Sequence, residues 1–208
     1  MELAKMTVEA YIDQLGSNAP APGGGSASAL CGAQGAALVT MVAELTVGKA
    51  KYAEFEELCR RAIEEGSKLR QDLVAAIDKD TQAFNLVSAA FKLPKETEEE
   101  KAARRQAIAD ATLTATQVPF ETLSLAKAAL GVCALLVSKS NPNAASDLGV
   151  AALNLLSCAK GAWLNILINL GGVKDEEKAA YFRTQGEQLV AECEALAGRI
   201  YTEVAASL

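Results

Sequence analysis

Residues 54–91 read EFEELCRRAIEEGSKLRQDLVAAIDKDTQAFNLVSAAF, and this stretch decides the fold. Phe55, Leu58, Ala62, Leu69, Leu73, Ile77, Phe84 and Val87 recur at steps of three and four, the period of a helix with one buried face. The spacing predicts one long amphipathic helix from Glu54 to Phe91, broken by Pro94. Asp80 interrupts the apolar line, with Leu73 and Ile77 before it and Phe84 and Val87 after it. A carboxylate at that register faces the core or a cleft, whereas Asp78 points about 200° away. Burying a carboxylate without a partner is costly or raises its pKa. Asp80 is therefore either paired structurally or held for proton transfer, and both readings stay open at this point.

Working outward, every neighbouring segment also reads as helix. Thr97-Glu98-Glu99-Glu100 forms a capping box that opens a helix which Pro119 must kink or split, with a further stretch to about Ser138. Asn141-Pro142-Asn143 is a turn, followed by a very apolar helix that stops at Gly171-Gly172, and Asp175 starts a last helix to about Ala205. On the other side, Thr7 caps a short helix through Leu15, and Ser26 is the N-cap candidate for a helix to about Val47. Between them lies the Pro/Gly-rich loop of residues 17–25. No alternating Val/Ile/Thr segment suggests a strand, so the expected fold is all-α: one domain over residues 1–208, a bundle of about six helices.

Half of the residues are apolar but only 5% are aromatic, so Ala, Leu, Val and Ile must build the core, which suits helices packed at short distance. The net charge is −6, with 20 basic and 26 acidic residues and no basic block, which disfavours nucleic acid as a partner. Glu44, Asn154, Lys160 and Asn165 interrupt the longest apolar stretches, so no membrane span is expected. Cys31, Cys59, Cys133, Cys158 and Cys193 show no CxxC spacing and read as free thiols of a reducing compartment. The first residues lack a basic segment followed by an apolar one, so no signal peptide is expected and the location reads as cytoplasmic. With no histidine, acid–base work falls to carboxylates, lysine or tyrosine, thiol catalysis is discounted, and no metal site is expected.

Helices 26–47 and 144–170 carry apolar or small residues on nearly every side and must be enclosed. A bundle of six helices surrounds only one or two members fully, which predicts that oligomer contacts cover the rest. On the second of these helices Asp147, Asn154 and Asn165 fall within about 20° of one line, and Asn169 within about 40°. Asn154 reads as an interhelical amide; Asn165 and Asn169 read as site candidates. About 27 Å of helix separates Asp147 from Asn165. Either two sites exist, or a neighbouring subunit brings the far end round. In Pro22-Gly23-Gly24-Gly25-Ser26 the glycines allow close backbone approach, and the helix start favours an anion; the alternative is a flexible hinge. No GK[ST] follows, so this is not a nucleotide loop. Lys49 is either a solvated helix-end cation or one that reaches an anionic ligand.

Six stretches carry a resemblance: residues 21–26 (APGGGS), 45–52 (LTVGKAKY), 78–84 (DKDTQAF), 93–97 (LPKET), 141–147 (NPNAASD) and 165–170 (NILINL). In that order they resemble the cyclodeaminase/cyclohydrolase family, which comprises bacterial methenyltetrahydrofolate cyclohydrolases and the C-terminal half of formiminotransferase-cyclodeaminase. Thr81 departs from the family's usual alanine. The resemblance implies an all-helical homodimer or larger assembly acting on a folate one-carbon substrate. The favoured reaction is reversible hydrolysis of 5,10-methenyltetrahydrofolate to 10-formyltetrahydrofolate. The alternative is cyclisation of 5-formiminotetrahydrofolate with loss of ammonia, and a non-catalytic helical scaffold or folate-binding protein is the reading of another class. Neither reaction requires a metal or redox cofactor. Asp80, Asp147 and Lys49 are the catalytic candidates, the carboxylates for proton transfer. Pro22, Gly23, Gly24, Gly25 and Ser26 are candidates for holding the anionic glutamate tail, with Lys49 as a second cation-bearing option. Asn143, Ser146, Asn165 and Asn169 complete the substrate-binding set.

Overall fold

The apolar line that begins the sequence argument builds the longest amphipathic face of the molecule. In the computed structural model, which describes residues 2–208, it forms α3 (Glu56–Phe91). Two short 3-10 turns across Ala50–Phe55, kinked at the non-helical Tyr52, replace the first residues of the expected helix. Around α3 stand α1 (Val8–Leu15), α2 (Gly24–Glu44), α4 (Glu98–Leu136), α5 (Ala145–Leu170) and α6 (Glu176–Ser207), and no strand occurs among the described residues. Thr7 caps α1, Asp175 caps α6, and Thr97 with Glu100 forms the reciprocal capping box that opens α4.

One sequence expectation needs correction and another is narrowed. Ser26 is not the N-cap of α2: Gly23 occupies that position, and Ser26 sits inside the first turn. Its hydroxyl is turned instead toward the Ile77 carbonyl (2.8 Å) and Asp80 (3.0 Å) of α3. Of the kink or split expected at Pro119, no split occurs, since α4 runs continuously from Glu98 to Leu136. Pro119 has no N–H for the Ala115 carbonyl four residues back. The side-chain amide of Asn169, on α5, donates to that carbonyl at 2.8 Å, so the vacated acceptor stays satisfied.

α2 and α5 run antiparallel at the centre: Gly24 lies beside Asn165, Gly32 beside Cys158 and Gly35 beside Leu155. Glycine makes this closeness feasible. A Cβ on Gly32 would stand 2.7 Å from Cys158 Sγ, and one on Gly35 2.6 Å from Leu155 Cγ. α3 covers α2, α4 bridges α3 and α5, and α6 closes over α5 and α4. The core follows the composition, with Leu73, Leu123, Leu130, Leu136, Leu148, Leu155 and Ile166 fully buried among alanines. The five cysteines are free, and burial pushes the thiols of Cys133 and Cys158 up to about 12.

Within one chain α2 and α5 are covered on three sides only. Met41, Leu45, Val150, Leu153, Leu164 and Ile168 remain exposed, the last at 80%. By length and composition alone α2, α4 and the segment Pro142–Leu170 are each apolar enough to cross a membrane. The buried halves of these helices are packed against one another.

Candidate active site

Asp80 stands where the helical register put it, on the inward side of α3, half-buried against the first turn of α2. Its Oδ2 accepts from the Ser26 N–H at 2.8 Å and lies 3.0 Å from the Ser26 hydroxyl. That hydroxyl has a single proton, shared among Asp80, the Ile77 carbonyl and, at 3.2 Å, Thr81 Oγ1. Burial pushes the Asp80 carboxyl above the usual carboxylate range, and the hydroxyl and N–H of Ser26 pull it part of the way back.

The glycine turn is shaped by this carboxylate. A Cβ on Gly25 would lie 2.5 Å from Asp80 Cγ and 2.8 Å from Oδ2, and closer still to Oδ1, so only glycine lets the two meet. The helix start does hold an anion, as expected for that arrangement, but the anion is Asp80 itself. That argues against the expected role of Ser26 and the neighbouring N–H groups in gripping the glutamate tail, because the carboxylate already fills the place. Gly23 and Gly24 remain open to solvent-filled space, and Pro22 is buried beneath the turn after a cis peptide bond.

Around Asp80 lies a cavity of about 310 Å³, walled by Pro20, Ala21, Gly23–Gly25, Thr81, Phe84, Val87, Ala115, Asn165, Ile168 and Asn169. Asn165 donates its amide to the Gly161 carbonyl (2.8 Å), and Asn169 donates to Ala115 (2.8 Å) and Asn165 (2.9 Å). Both N–H groups of the Asn169 amide are used and one of Asn165 is, and each asparagine has its oxygen left as an acceptor for a ligand N–H. Asn154, by contrast, bonds only back to the Val150 carbonyl of its own helix, not across to a neighbour as expected.

Sequence reasoning missed Phe84, Thr81 and Val87. Phe84 and Val87 carry the same inward register as Asp80 and were therefore assigned to the core; the helices part here, and Phe84 is 41% exposed on the cleft wall. Tyr11 was also missed. Its hydroxyl is buried with no hydrogen-bond partner among the described residues, and burial, with the Asp80 charge second, raises its pKa. Asp78 points away as expected, and caps the N-terminal turn by accepting from the Leu3 N–H (2.6 Å).

The remaining candidates do not reach this cavity. Asp147 and Ser146 belong to the other end of α5, about 27 Å from Asn165, Asn143 lies in the 3-10 turn Pro142–Ala144 just before it, and Lys49 follows the far end of the 21-residue α2. Their side chains make no hydrogen bond or ion pair among the described residues. A second cavity of about 380 Å³, lined by Lys51, Tyr52, Ser138, Ser140 and Pro142 among others, lies at that end and touches none of these four. Within a single chain, Asp80 and Asp147 are not one catalytic pair.

An all-helical bundle with a carboxylate clasped at a glycine turn beside two asparagines defines a cleft-bearing helical protein without histidine chemistry. A family model described as formiminotransferase-cyclodeaminase matches residues 7–188, and the chain belongs to that family. It is 42% identical to a methenyltetrahydrofolate cyclohydrolase of Methylorubrum extorquens over 95% of both chains. It is 33% identical to the formimidoyltransferase-cyclodeaminase of Gallus gallus over 87% of this chain, but spans only 33% of that longer protein. Its structure matches that of a formiminotetrahydrofolate cyclodeaminase from Thermotoga maritima with a TM-score of 0.81 and 28% identity, covering 100% of this chain and 98% of that one.

Proposed function

We propose that the chain hydrolyses 5,10-methenyltetrahydrofolate to 10-formyltetrahydrofolate, reversibly, in folate one-carbon metabolism. The observation that carries this reading is Asp80: a carboxylate withdrawn from bulk water, with a raised pKa, opening on a cavity of a size to take one bicyclic ring. The methenyl carbon belongs to a cationic amidinium between two folate nitrogens. A carboxylate beside it attracts that cation and takes a proton from the attacking water. The oxygen–carbon bond forms as Asp80 is protonated. In the adduct the bond from this carbon to the ring nitrogen then breaks, its electron pair staying on nitrogen. Asp80 returns its proton to that nitrogen, and the adduct's hydroxyl proton leaves to water as the formyl group forms.

The acceptor oxygens of Asn165 and Asn169 suit the N–H edge of a pterin, and the Phe84 ring offers a flat apolar wall. The chemistry as written uses water and side chains alone. The five free thiols fit work in the cytoplasm.

The test is decay of the methenyl absorbance by purified protein. Asp80→Asn should slow it by at least about 100-fold, the lower range of acid–base contributions. A folded variant with full activity removes the assignment and leaves a folate-binding or scaffold role. The end-to-end match to a formiminotetrahydrofolate cyclodeaminase favours a second reading, ring closure of 5-formiminotetrahydrofolate with loss of ammonia. Assaying both substrates side by side decides by the larger kcat/KM.

A further inference from the structure

The carboxylate of Asp80 is held by one oxygen only. Its Oδ2 takes both donors of Ser26, the N–H at 2.8 Å and the hydroxyl at 3.0 Å. Oδ1 accepts no hydrogen bond among the described residues and is not sealed off, which leaves it as the oxygen that opens on the cleft. Ser26 itself is enclosed, at 0% exposure, so its hydroxyl finds its partners within the protein. A hydroxyl donates one bond and accepts two. Three oxygens stand within reach of this one: Asp80 Oδ2, the Ile77 carbonyl at 2.8 Å and Thr81 Oγ1 at 3.2 Å.

Charge decides where the single proton goes. With Asp80 ionised, a bond to its carboxylate is about twice as strong as one to a neutral oxygen. The Ile77 carbonyl competes weakly, because it already accepts the Thr81 N–H one helical turn on. If Ser26 donated to Thr81 instead, its oxygen would face Oδ2 at 3.0 Å with no hydrogen between them. The Thr81 contact therefore runs the other way, from the Thr81 hydroxyl to Ser26 Oγ.

We propose that Thr81 and Ser26 are positioning residues, a relay of two hydroxyls running from Thr81 through Ser26 to Asp80 Oδ2, which fixes the ionised carboxylate and reserves Oδ1 for the proton of the attacking water. This inference rests on the folate reading of the cleft. Each bond in such a chain strengthens the next. No neighbouring charge takes the same part. α2 has no charged residue between Gly24 and Ala43, and Cys31 is its one titratable side chain there. α4 and α5 present Ala115, Asn165, Ile168 and Asn169 to the cavity. On α1, Tyr11 lies close enough to feel the Asp80 charge, while Glu9 and Asp13 are exposed. On α3, Asp78 is turned to the Leu3 N–H and Lys79 is exposed. Burial of Asp80 is thus opposed by the two donors of Ser26, and one of those is backed by Thr81.

Titration of Asp80 by carbon-13 NMR in carboxyl-labelled protein, with the resonance assigned by its loss in Asp80→Asn, tests this without substrate. Ser26→Ala removes a bond to a charged group and should raise the midpoint by about one to two pH units. Thr81→Val keeps the shape and removes the hydroxyl; a strengthening of about 10–30% per bond makes its upward shift about 0.1–0.6 unit. Thr81→Ser, which keeps the hydroxyl, should return the wild-type midpoint. In the Ser26→Ala background Thr81→Val should add no shift, since the relay is already cut. The acid limb of kcat/KM for methenyl decay, which reports the free enzyme, should move with these midpoints while KM on the plateau stays unchanged. An unmoved midpoint in Thr81→Val, an equal shift in Thr81→Ser, or the same Thr81→Val shift in both backgrounds overturns the relay. So does a raised KM with an unmoved limb, which makes Thr81 a wall contact and nothing more. Should Ser26→Ala fail to fold, the comparison of Thr81→Val with Thr81→Ser decides alone. Midpoints that move as expected in a protein that turns over neither folate substrate keep the relay and refute the folate reading.

Discussion

Adding one methyl group at Gly25 should cost little stability and most of the activity. An alanine Cβ there lies 2.5 Å from Asp80 Cγ, whereas carbon atoms in contact rest at about 3.5–4.0 Å, so the carboxylate must retreat by about 1 Å or more. Retreat breaks its 2.8 Å bond from the Ser26 N–H. Overpacking of this kind costs about 1–3 kcal/mol, and the helical preference of alanine over glycine returns about 1 kcal/mol. The net loss is about 0–2 kcal/mol, which lowers Tm by no more than about 8 °C in a chain of this size. A reacting group displaced by about 1 Å costs on the order of 100-fold in rate. Methenyl decay gives the rate, thermal unfolding followed by circular dichroism gives Tm, and a crystal structure of the variant locates the carboxylate. Gly131→Ala, on α4 away from the cavity, is the control, since a Cβ there meets nothing within 4 Å, and it should keep near-wild-type activity. Wild-type turnover in Gly25→Ala, with Asp80 still bonded to Ser26, would refute the claim that this contact positions the base.

Two further outcomes follow from the same geometry. Because burial raises the Asp80 pKa on folding, its ionised form is a liability at neutral pH, and the folded state gains stability as pH falls through the raised value. Asp80→Asn should therefore melt at or above the wild-type temperature at pH 7, with the gap closing in acid, while the wild-type rate falls in acid with a midpoint above the ordinary carboxylate range. Asn169→Leu strips the donor from the Ala115 carbonyl and should cost about 1–3 kcal/mol in urea unfolding. Pro119→Ala returns an N–H to that carbonyl and should reduce the loss, a coupling that a double-mutant cycle reads directly.

Periodicity carried most of the fold. The three- and four-residue recurrence of Leu73, Ile77 and their neighbours placed α3 to within about two residues and aimed Asp80 inward, and both followed from local spacing alone. The errors have a common cause in distant partners. Pro119 was expected to kink or split α4 because its own helix offers no replacement donor; no split occurs, and the replacement comes from Asn169, 50 positions later in the chain. Ser26 resembled a cap because capping is local, whereas its actual partners are on α3. Phe84 shares its register with core residues, and only the parting of the helices makes it part of a wall. The arithmetic that kept Asp147 and Asn165 apart was sound, since helix rise is a constant of the backbone.

The glycine seam between α2 and α5 also bears on how a ligand gets in. At Gly32 and Gly35 the two rods already touch, and at Gly161 the Ser28 side chain fills the space a Cβ would take, so the two helices are locked against sliding along this seam. That side of the cleft behaves as a fixed jamb. Whatever widening the entrance undergoes must come from the opposite post, the lip of Pro20 and Ala21 together with the Phe84 side chain, which stands exposed on α3.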